Sequence, residues 1–488
     1  MKKLLFCVFL LFVFTSTVYS QATIQSNKEK FLSDFDLYYN ILKKAHAGLY
    51  KYHSEQEIER FFSILRAKIN DQTDLISFYN QLSAIASYIG SLHDSVGLPD
   101  SLKKEMYLRK EYFPYPVKLI DSKLLFNMDG KAIPAGAEIL SVNGTMVKDI
   151  LPELYELCTA DGYNTTGKAP DINSKFPWLY RLKFGPNQEF KIIYQPYPGK
   201  KRLTTVLSAS TYDDFKTMFA NRHSLALDTV LLRKHAFEIV NNGNTGILTI
   251  NTFSMGGPKN PKHLAFKEFL RNTFSTMRDR NIKNLIVDIR KNGGGSDPND
   301  LMTFSYLAHK PFKENAEAFT IFQDVPYKQF IIPADTAELK DLGEELKDEH
   351  SECSNGRYYQ NQKFNPLWQP DSLAFNGRVY ILSGPAVASA ASLFGSLAKS
   401  EGNVRIVGEE SMGGYYGHTG HIPLSYFLPY TKILVTFSVV DLKQYVQPNK
   451  QIPAGRGIMP DYKVGQSQLD FIKNKDTVLE YALKDISN

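Results

Sequence analysis

Cysteine is scarce in this sequence: its 488 residues include 3 cysteines, at positions 7, 158 and 353. Spacings this wide exclude a cysteine-rich zinc motif and a dense disulfide framework, and nothing in the sequence implies a metal or an organic cofactor. Cys158 and Cys353 could form one disulfide in an exported chain. Two unpaired thiols are equally expected, because the sequence cannot place the two sulfur atoms within bonding distance.

An excess of charge of one sign is also missing. Lysine and arginine number 57 against 51 aspartate and glutamate residues, which gives a net charge of +6 without any basic block or aromatic-basic stripe. This balance argues against nucleic-acid binding. Beyond the N-terminus no window holds the roughly 18 consecutive apolar residues of a membrane span, so we expect no span in the mature chain.

The N-terminus carries the features of a secretory signal. The lysines at positions 2 and 3 precede an apolar run, Leu4–Phe14, and Val18 and Ser20 supply small residues before Gln21. This arrangement predicts a signal peptide over 1–20. It also predicts an exported protein, periplasmic or extracellular, whose mature chain begins at or near Gln21.

The first part of the mature chain has apolar residues at helical spacing. Ser54 and Glu57 form a capping box that opens one helix, and Thr73 is placed to cap the next one, which Gly90 ends. The pattern predicts an N-terminal helical region over 21–105. A purely structural interpretation of this region is a packing or lid domain.

Short strands and turns replace the helices over 106–210. Strands are expected at Val117–Ile120, Leu124–Asn127 and Glu138–Val142. The last of them runs into Asn143-Gly144, a typical hairpin turn. The phrase IPAGAEILSVNG at 133–144 also resembles the core of a PDZ-like module. This resemblance implies that the module binds peptide ends by adding them as a strand to its sheet edge.

Strands alternate with helices over 236–480. Strands are expected at Gly246–Asn251, Asn284–Ile289 and Arg378–Ser383, with an amphipathic helix over 264–277. Strand, helix and strand at this spacing predict an α/β fold with crossover connections. Residues 310–375 are rich in Asp, Glu, Lys and Tyr, and we expect them to form an insertion in this domain.

Three consecutive glycines, Gly293, Gly294 and Gly295, follow the strand expected at 284–289. Glycine permits positive φ and brings main-chain amides close to a ligand, which an oxyanion hole requires. A flexible loop would have the same signature. A phosphate-binding loop is not indicated, because such a loop ends in Gly-Lys-Ser/Thr.

Ser389 lies between Ala388 and Ala390, where the strand expected at 378–383 gives way to a helix. A serine at a strand-to-helix turn is exposed and lies near the positive end of the helix dipole. It also needs small neighbours, so that a carbonyl group can approach. Tight helix packing would select small residues as well, so this pattern alone leaves both interpretations open.

Several phrases follow one another in the C-terminal half, in the order DIRKNGGG, ASAAS, IVGEESMGG and RGIMPDY. This order, over about 180 residues, is similar to the catalytic domain of the tail-specific (C-terminal-processing) serine peptidases, including their tricorn-like and retinoid-binding-protein-like relatives. The phrases HAGLYKYHSEQE and IGSLHDSVGLP resemble the helical region of the same family. The resemblance implies an α/β catalytic core of the tail-specific protease (crotonase/ClpP-like) type, preceded by the helical region and the small β-rich PDZ-like module.

The nucleophile of this family is the serine of an SA-x-E motif. It matches Ser389, although Ser392 stands where the glutamate is usual. The resemblance implies that main-chain N–H groups of Gly294 or Gly295 and of Ala390 bind the oxyanion. The chemistry implied is acyl transfer through an acyl-enzyme on the serine.

The family uses two kinds of base. Gly414 occupies the position of the lysine that one branch uses, so a serine–lysine dyad in its usual form is not expected. The other branch uses a histidine, and the phrase at 89–99 matches its motif. This match makes His93 the base and puts Asp94 in place of a small hydroxyl residue. A shifted alignment would put Val96 at the base position and predict an inactive protein.

The acid that orients the base stays open. The histidine branch often has a glutamate just before the RG-x-x-PD phrase, where this chain has Ala454. The candidates for the role are Glu409, Glu410 and Asp441. Two histidines compete with His93 as the base, His418 and His421, although histidines in such a Gly/Tyr-rich loop are usually surface residues.

These observations predict an exported serine peptidase of the histidine-using branch, which hydrolyses peptide bonds of protein or peptide substrates. One alternative is a peptide-binding or scaffold protein that keeps the fold after its chemistry has decayed. The departures from the family pattern at Asp94, Ser392, Gly414 and Ala454 favour that alternative. Another is an esterase on the same scaffold, which would need the same nucleophile.

Overall fold

The computed structural model describes residues 26–130, 133–199, 201–225, 234–332 and 336–488. The predicted signal peptide and Cys7 lie outside these residues. No helix in the described ranges is long and apolar enough to span a membrane. Cys158 is buried, Cys353 is exposed and both are free, so these two thiols do not pair.

Helices dominate the N-terminal part of the chain. They span Asn27–Ala45 (α1), Glu55–Ala67 (α2), Leu75–Ile89 (α3) and Asp100–Tyr107 (α4), with a short strand at Ser95–Gly97 (β1). The predicted capping box opens α2, and Gly90 ends α3 in a left-handed conformation, as predicted. The cap of α3 is Asp74 and not Thr73, because the Asp74 carboxylate accepts a hydrogen bond from Ser77 N at 2.7 Å.

An antiparallel sheet follows, which we call the β module together with its helices. Its strands span Val117–Ile120 (β2), Lys123–Phe126 (β3), Glu138–Val142 (β4), Thr145–Met146 (β5), Glu189–Gln195 (β6) and Leu203–Ser208 (β7). Its helices span Val147–Tyr155 (α5), Ala169–Phe184 (α6) and Tyr212–Ala220 (α7). The strand order is β2-β3-β4-β6-β7, with β5 paired to β4. Apolar residues of the sheet, α5 and α6 share one buried cluster.

The second sheet is the predicted α/β core, with helices on both faces. Its strands span His235–Val240 (β8), Thr245–Ile250 (β9), Asn284–Asp288 (β10), Arg378–Ser383 (β14), Val404–Gly408 (β15) and Tyr462–Lys463 (β18). Its helices span Pro261–Asp279 (α8), Asn299–Ser305 (α9), Ala390–Lys399 (α11), Gln468–Ile472 (α12) and Thr477–Ser487 (α13). The strand order is β18-β15-β14-β10-β9-β8, and all pairs except β8–β9 are parallel. The predicted α/β class is confirmed.

The third sheet connects the insertion to the helical region. Its other strands span Asn315–Thr320 (β11), Glu352–Ser354 (β12), Arg357–Tyr359 (β13), Thr419–Phe427 (β16) and Leu434–Gln444 (β17), and the insertion also contains the helix Thr336–Glu349 (α10). β17 pairs with β16 and also with β1 and β11, which come from distant parts of the chain. Apolar residues of this sheet and of α1, α2 and α3 form one buried cluster.

The parallel strands β10, β14 and β15 end at the same edge of the core sheet. Their register pairs Asp288 with Leu382 and Ser383 with Gly408. The chain leaves these ends as three loops, which carry the glycine run, Ser389 and the phrase GEESMGG. Ligands of open α/β sheets bind at the carboxyl ends of the strands, so the candidate site lies at this edge.

Candidate active site

Ser389 is the N-cap residue of α11 and has a strained main chain. Its φ of +53° and ψ of −132° lie in a region that L-residues rarely adopt. Holding a residue in such a conformation costs on the order of 1–3 kcal/mol. It persists only where the surrounding structure imposes it, and strained residues of this kind cluster at active sites.

Two hydrogen bonds hold the loop that precedes Ser389. Ala388 N donates to the main-chain oxygen of Asn292 at 3.3 Å, and Gly413 N donates to Val387 O at 3.0 Å. The first bond comes from the glycine-run loop and the second from the GEESMGG loop. The surrounding loops therefore impose the conformation of Ser389 from both sides.

Ser392, at the position where the resemblance expects a glutamate, is buried beside Ser389. Its Oγ donates a hydrogen bond to the main-chain oxygen of Ser389 at 2.7 Å. A Cβ at Gly413 would lie 2.2 Å from Ser392 Oγ, so the GEESMGG loop approaches very closely here. Ser392 therefore binds the main-chain carbonyl of Ser389, and its small size permits the close approach of the loop.

Asn292 anchors the glycine run. Its buried side chain accepts a hydrogen bond from Gly294 N at 2.9 Å and donates one to Ile250 O at 3.1 Å. Gly294 has a φ of +104°, and a Cβ at this position would lie 2.8 Å from Ser389 Cβ. The glycine run and Ser389 are therefore in direct contact, as an oxyanion hole built from two loops would require.

Gly295 and Ala390 carry main-chain N–H groups that are available at this contact. Neither donates a hydrogen bond to another residue in the described part of the chain. Gly294 N, by contrast, is already bound to the Asn292 side chain. Among the three donors that the sequence suggests, Gly295 and Ala390 are therefore the ones free to bind an anion.

His93 reaches Ser389 from the helical region, between α3 and β1. Its Nε2 lies 3.2 Å from Ser389 Oγ, which is a hydrogen-bond distance. Burial lowers the pKa of the imidazole, against smaller raising effects from the main chain at Thr419 and from the charge of Asp94. A lowered pKa keeps the ring neutral, and so able to accept a proton, at neutral pH.

The other ring nitrogen of His93, Nδ1, is buried and makes no hydrogen bond of good geometry to a described residue. The polar group beside the ring is the main chain at Thr419. Among the residues that the structure describes, no carboxylate forms a hydrogen bond with Nδ1 of His93. This differs from a Ser-His-Asp triad, in which a carboxylate holds Nδ1.

The three candidate acids make other contacts. Both carboxylate oxygens of Glu410 accept hydrogen bonds from Arg456, and Asp441 forms an ion pair with Lys51. Glu409 lines a cavity between the β module and the core, where burial raises its pKa. In the described ranges no group of three or more His, Cys, Asp or Glu side chains could hold a metal ion.

The rival bases, His418 and His421, make no hydrogen bond to Ser389 in the described part of the chain. The ring of His418 lies 5.3 Å from that of His93, and burial is the main cause that holds its pKa well below the usual value. His421 pairs with Glu349 at 3.2 Å. Although burial alone would lower it, this carboxylate raises the pKa of His421 to about 9. His421 is therefore protonated at neutral pH and cannot accept a proton.

Asp94, which departs from the family phrase, has a partner in the helical region. Both of its carboxylate oxygens lie 3.1 Å from Nε2 of His46, and both side chains are buried. His46 is the C-terminal cap of α1. Asp94 therefore fastens the segment that carries His93 to the end of α1.

Asp161 joins the His93 segment to the GEESMGG loop. It lies between α5 and α6 and is buried. One carboxylate oxygen accepts a hydrogen bond from Leu92 N at 3.0 Å, and the other accepts one from Gly414 N at 2.8 Å. Burial raises the pKa of Asp161 to about 7, although these two bonds and the charge of Lys51 lower it. A single side chain thus connects the residue before His93 to the GEESMGG loop, which contacts the segment of Ser389.

The next two residues continue this connection. Gly162 N donates to Gly90 O at 2.8 Å, and Tyr163 N donates to Gly455 O at 2.9 Å. Gly162 has a φ of +62°, and a Cβ there would lie 2.4 Å from Gly455 O, so only glycine fits. Residues 161–163 therefore form a strap that fastens the helical region to the core beside the site.

Asn292 and Asp161 are site residues that the sequence analysis did not single out. Asparagine side chains often accept the main-chain N–H two residues further on, so the pairing of Asn292 with Gly294 had a local signal. Asp161 had none, because its partners, Leu92 and Gly414, are distant in the sequence.

The core sheet and its loops match a known protein family. Residues 244–464 match the model of Peptidase family S41. This range includes the glycine run, Ser389 and the GEESMGG loop. A comparison with curated protein sequences found no significant match. The family match supports a protease function for this part of the chain.

Comparison with solved structures covers nearly the whole chain. Mature CPAF in complex with lactacystin aligns with 94% of this chain and 97% of its own, at 14% identity and a TM-score of 0.60. The photosystem II D1 C-terminal processing protease covers 90% and 93% at 12% identity, and the tricorn protease 95% and 37% at 14% identity. Their TM-scores are 0.39 and 0.37. The likeness to CPAF shows the fold. The match to Peptidase family S41 is confined to residues 244–464.

The contact between Gly294 and Ser389 leads to a first prediction. Gly294→Ala should lower kcat/KM by about 10²-fold, the effect of a misplacement of about 1 Å, because the new methyl group displaces the loop that carries Ser389. Gly293→Ala is the control, since nothing lies within 4 Å of a Cβ there. It should change kcat/KM little. Equal effects of the two changes, measured on folded proteins, would contradict the assigned contact.

The bridge through Asp161 leads to a second prediction. Asp161→Asn turns one acceptor into a donor that faces Leu92 N or Gly414 N. The base then shifts relative to the nucleophile, and kcat should fall by about 10- to 100-fold with little change in KM. Asp149→Asn, an exposed change in α5, is the matched control and should leave both constants unaltered. A KM effect alone would assign Asp161 to substrate binding instead.

The difference in stability between the wild type and Asp161→Asn should depend on pH. The pKa of Asp161 is raised to about 7 in the folded protein, so the folded state holds this proton more tightly than the unfolded state. The stability that the proton contributes is lost as the pH rises through 7. The Tm of the wild type minus that of Asp161→Asn should therefore fall between pH 5 and pH 8. A difference that is constant with pH would contradict the burial of this carboxyl group.

Proposed function

We propose that this protein is an exported serine peptidase that hydrolyses peptide bonds through an acyl-enzyme on Ser389, with His93 as the base. The observation that carries the proposal is the 3.2 Å distance between His93 Nε2 and Ser389 Oγ, residues 296 positions apart in the sequence. The family match supports a peptide or protein substrate. Export rests on the signal features of the N-terminal sequence.

In the proposed reaction His93 Nε2 takes the hydroxyl proton while Ser389 Oγ attacks the carbonyl carbon of the scissile bond. The new C–O bond forms and the carbonyl electron pair moves to the oxygen. When this tetrahedral intermediate collapses, the C–N bond breaks and the leaving nitrogen takes the proton from His93. A water molecule then attacks the acyl-enzyme by the same steps and releases the carboxylic acid.

The negative oxygen of the intermediate would accept hydrogen bonds from the N–H groups of Gly295 and Ala390. Both groups are free of other partners among the described residues. Ala390 also begins α11, so the positive end of the helix dipole points towards the developing charge. This is the arrangement that stabilises an oxyanion in acyl transfer.

The main chain at Thr419 supports the orientation of the base in this proposal. When Nε2 accepts the serine proton, Nδ1 carries the ring's own hydrogen, and the Thr419 main chain is the polar group beside the ring. A main-chain carbonyl is uncharged, so it stabilises the imidazolium less than a carboxylate would. This main chain does not supply the charge of the glutamate that the family often has at the position of Ala454.

We also infer that the β module recruits an extended peptide at strand β2. This strand lies at the edge of its sheet. Its N–H at Leu119 already donates to Asn173 Oδ1 of α6 at 2.7 Å. A peptide that added to this edge would therefore have to replace the Asn173 side chain.

Rates on unstructured peptides, with products identified by mass spectrometry, test the proposed function. Ser389→Ala should abolish hydrolysis, and His93→Ala should lower kcat by roughly 10³-fold or more. His309→Ala, a change at a partly exposed histidine, should have no effect. A scaffold protein would bind peptides without cleaving them, and an esterase would cleave only ester analogues. Either result would contradict the proposal.

The pH dependence of kcat/KM identifies the base. A histidine base must be neutral, so activity should fall at low pH, with a midpoint below the ordinary histidine value of about 6.5 because burial lowers the pKa of His93. A smaller step near pH 7 would report Asp161 and should be missing from Asp161→Asn. Activity that rises into alkaline pH would indicate a lysine base and exclude His93.

A further inference from the structure

A cavity of about 580 Å³ opens beside His93, between the helical region and the β module. Side chains of α3, α4, α6 and α7 line it, together with Leu92, Leu98 and Met412. Its volume falls in the usual range for a ligand site, about 300–1,000 Å³. The proposed reaction uses His93 but assigns no role to this space.

One wall of the cavity is aromatic. Tyr107 of α4 stacks on Tyr212 of α7 with ring centroids 4.6 Å apart, and it meets Trp178 of α6 edge-on at 5.2 Å. Leu98 and Leu179 add aliphatic surface. Aromatic rings pack favourably edge-on or offset against another ring, so this wall favours a large, flat apolar group.

The charged side chains of the cavity already have partners. Lys175 Nζ lies 2.8 Å from Asp171, and Lys103 Nζ lies 2.7 Å from Asp100. Asp94 is held in its buried bond to His46. A charged group that entered the cavity would lose hydration without gaining an unpaired counter-charge, which is unfavourable. The cavity therefore selects against charge.

The cavity lies on the histidine side of the candidate site, so it can be assigned to one side of the scissile bond. His93 lines it, whereas Ser389, Gly294 and Gly295 do not. In the proposed mechanism His93 delivers a proton to the leaving nitrogen, so this nitrogen lies against the imidazole. The side chain of the residue that follows the scissile bond is attached one atom further on. This side chain is therefore the substrate group closest to the cavity.

We propose that this cavity is the subsite for the residue after the scissile bond, and that it takes a large uncharged side chain, preferably phenylalanine, tyrosine or tryptophan. The inference rests on the proposed function, because it needs His93 to act at the leaving nitrogen. It names a substrate class that the family match leaves open. Cleavage should occur on the N-terminal side of aromatic residues.

Peptide pairs that differ only in the residue after the cleaved bond test the subsite. With the wild type, kcat/KM should be at least about tenfold higher for phenylalanine than for alanine, aspartate or lysine at this position. Leu157→Trp fills the cavity from its wall and should reduce the phenylalanine-to-alanine ratio to near one. Leu264→Trp, on the exposed face of α8, is the control and should keep the ratio. No preference in the wild type, or a ratio that Leu157→Trp leaves unchanged, would overturn the assignment.

A binding experiment separates failure of the subsite from failure of the proposed function. The chain has 2 tryptophans, so Ser389→Ala combined with Trp368→Phe leaves Trp178 as the reporter in the cavity wall. Short peptides that begin with phenylalanine imitate the leaving product. They should change Trp178 fluorescence saturably and bind at least about tenfold more tightly than peptides that begin with alanine. Equal binding of both would overturn the subsite even if the wild type hydrolyses peptides. Selective binding to Trp178 in the variant, with no hydrolysis by the wild type, would show that the cavity takes aromatic side chains but would contradict the proposed function.

Discussion

The site depends on keeping His93 and Ser389 within 3.2 Å of each other although they belong to different parts of the chain. Two connections maintain this distance. Asp161 binds the main chain next to His93 and the loop that contacts Ser389, and Asp94 fastens the same segment to His46 at the end of α1. A change that loosens the helical region should therefore act on catalysis before it unfolds the core.

Much of the core fold could be predicted because its signals are local. The strand 378–383 agrees with β14 residue for residue, since a continuous apolar run is enough to define a buried parallel strand. The third sheet could not be predicted in this way. Its strand β17 pairs with β1 and β11, and the pairing of strands so distant in sequence leaves no periodic signal in any of them. The sequence therefore does not predict that β11 of the insertion pairs with β17.

The site shows the same division between local and distant contacts. Ser389 and the glycine run could be located from small residues that follow buried strands, because strand ends and helix starts are local features. His93 was identified through a family phrase and not through its chemistry. Asp161 could not be predicted, because a lone aspartate in a loop acquires its role only from two main-chain N–H groups that are distant in the sequence. In the sequence, the departures from the family pattern at Asp94 and Ser392 suggest a protein that has lost its catalytic chemistry. In the structure both residues have buried hydrogen-bond partners.

The most direct measurement is reaction of the folded protein with a fluorophosphonate, followed by peptide mapping of the adduct. An activated serine with its base in place should give one adduct, on Ser389, and His93→Ala should form it far more slowly. Denatured protein should not react, because the strained turn and the base are then lost. Absence of the adduct, an adduct on another serine, or an equal rate in His93→Ala would contradict the pairing of Ser389 with His93.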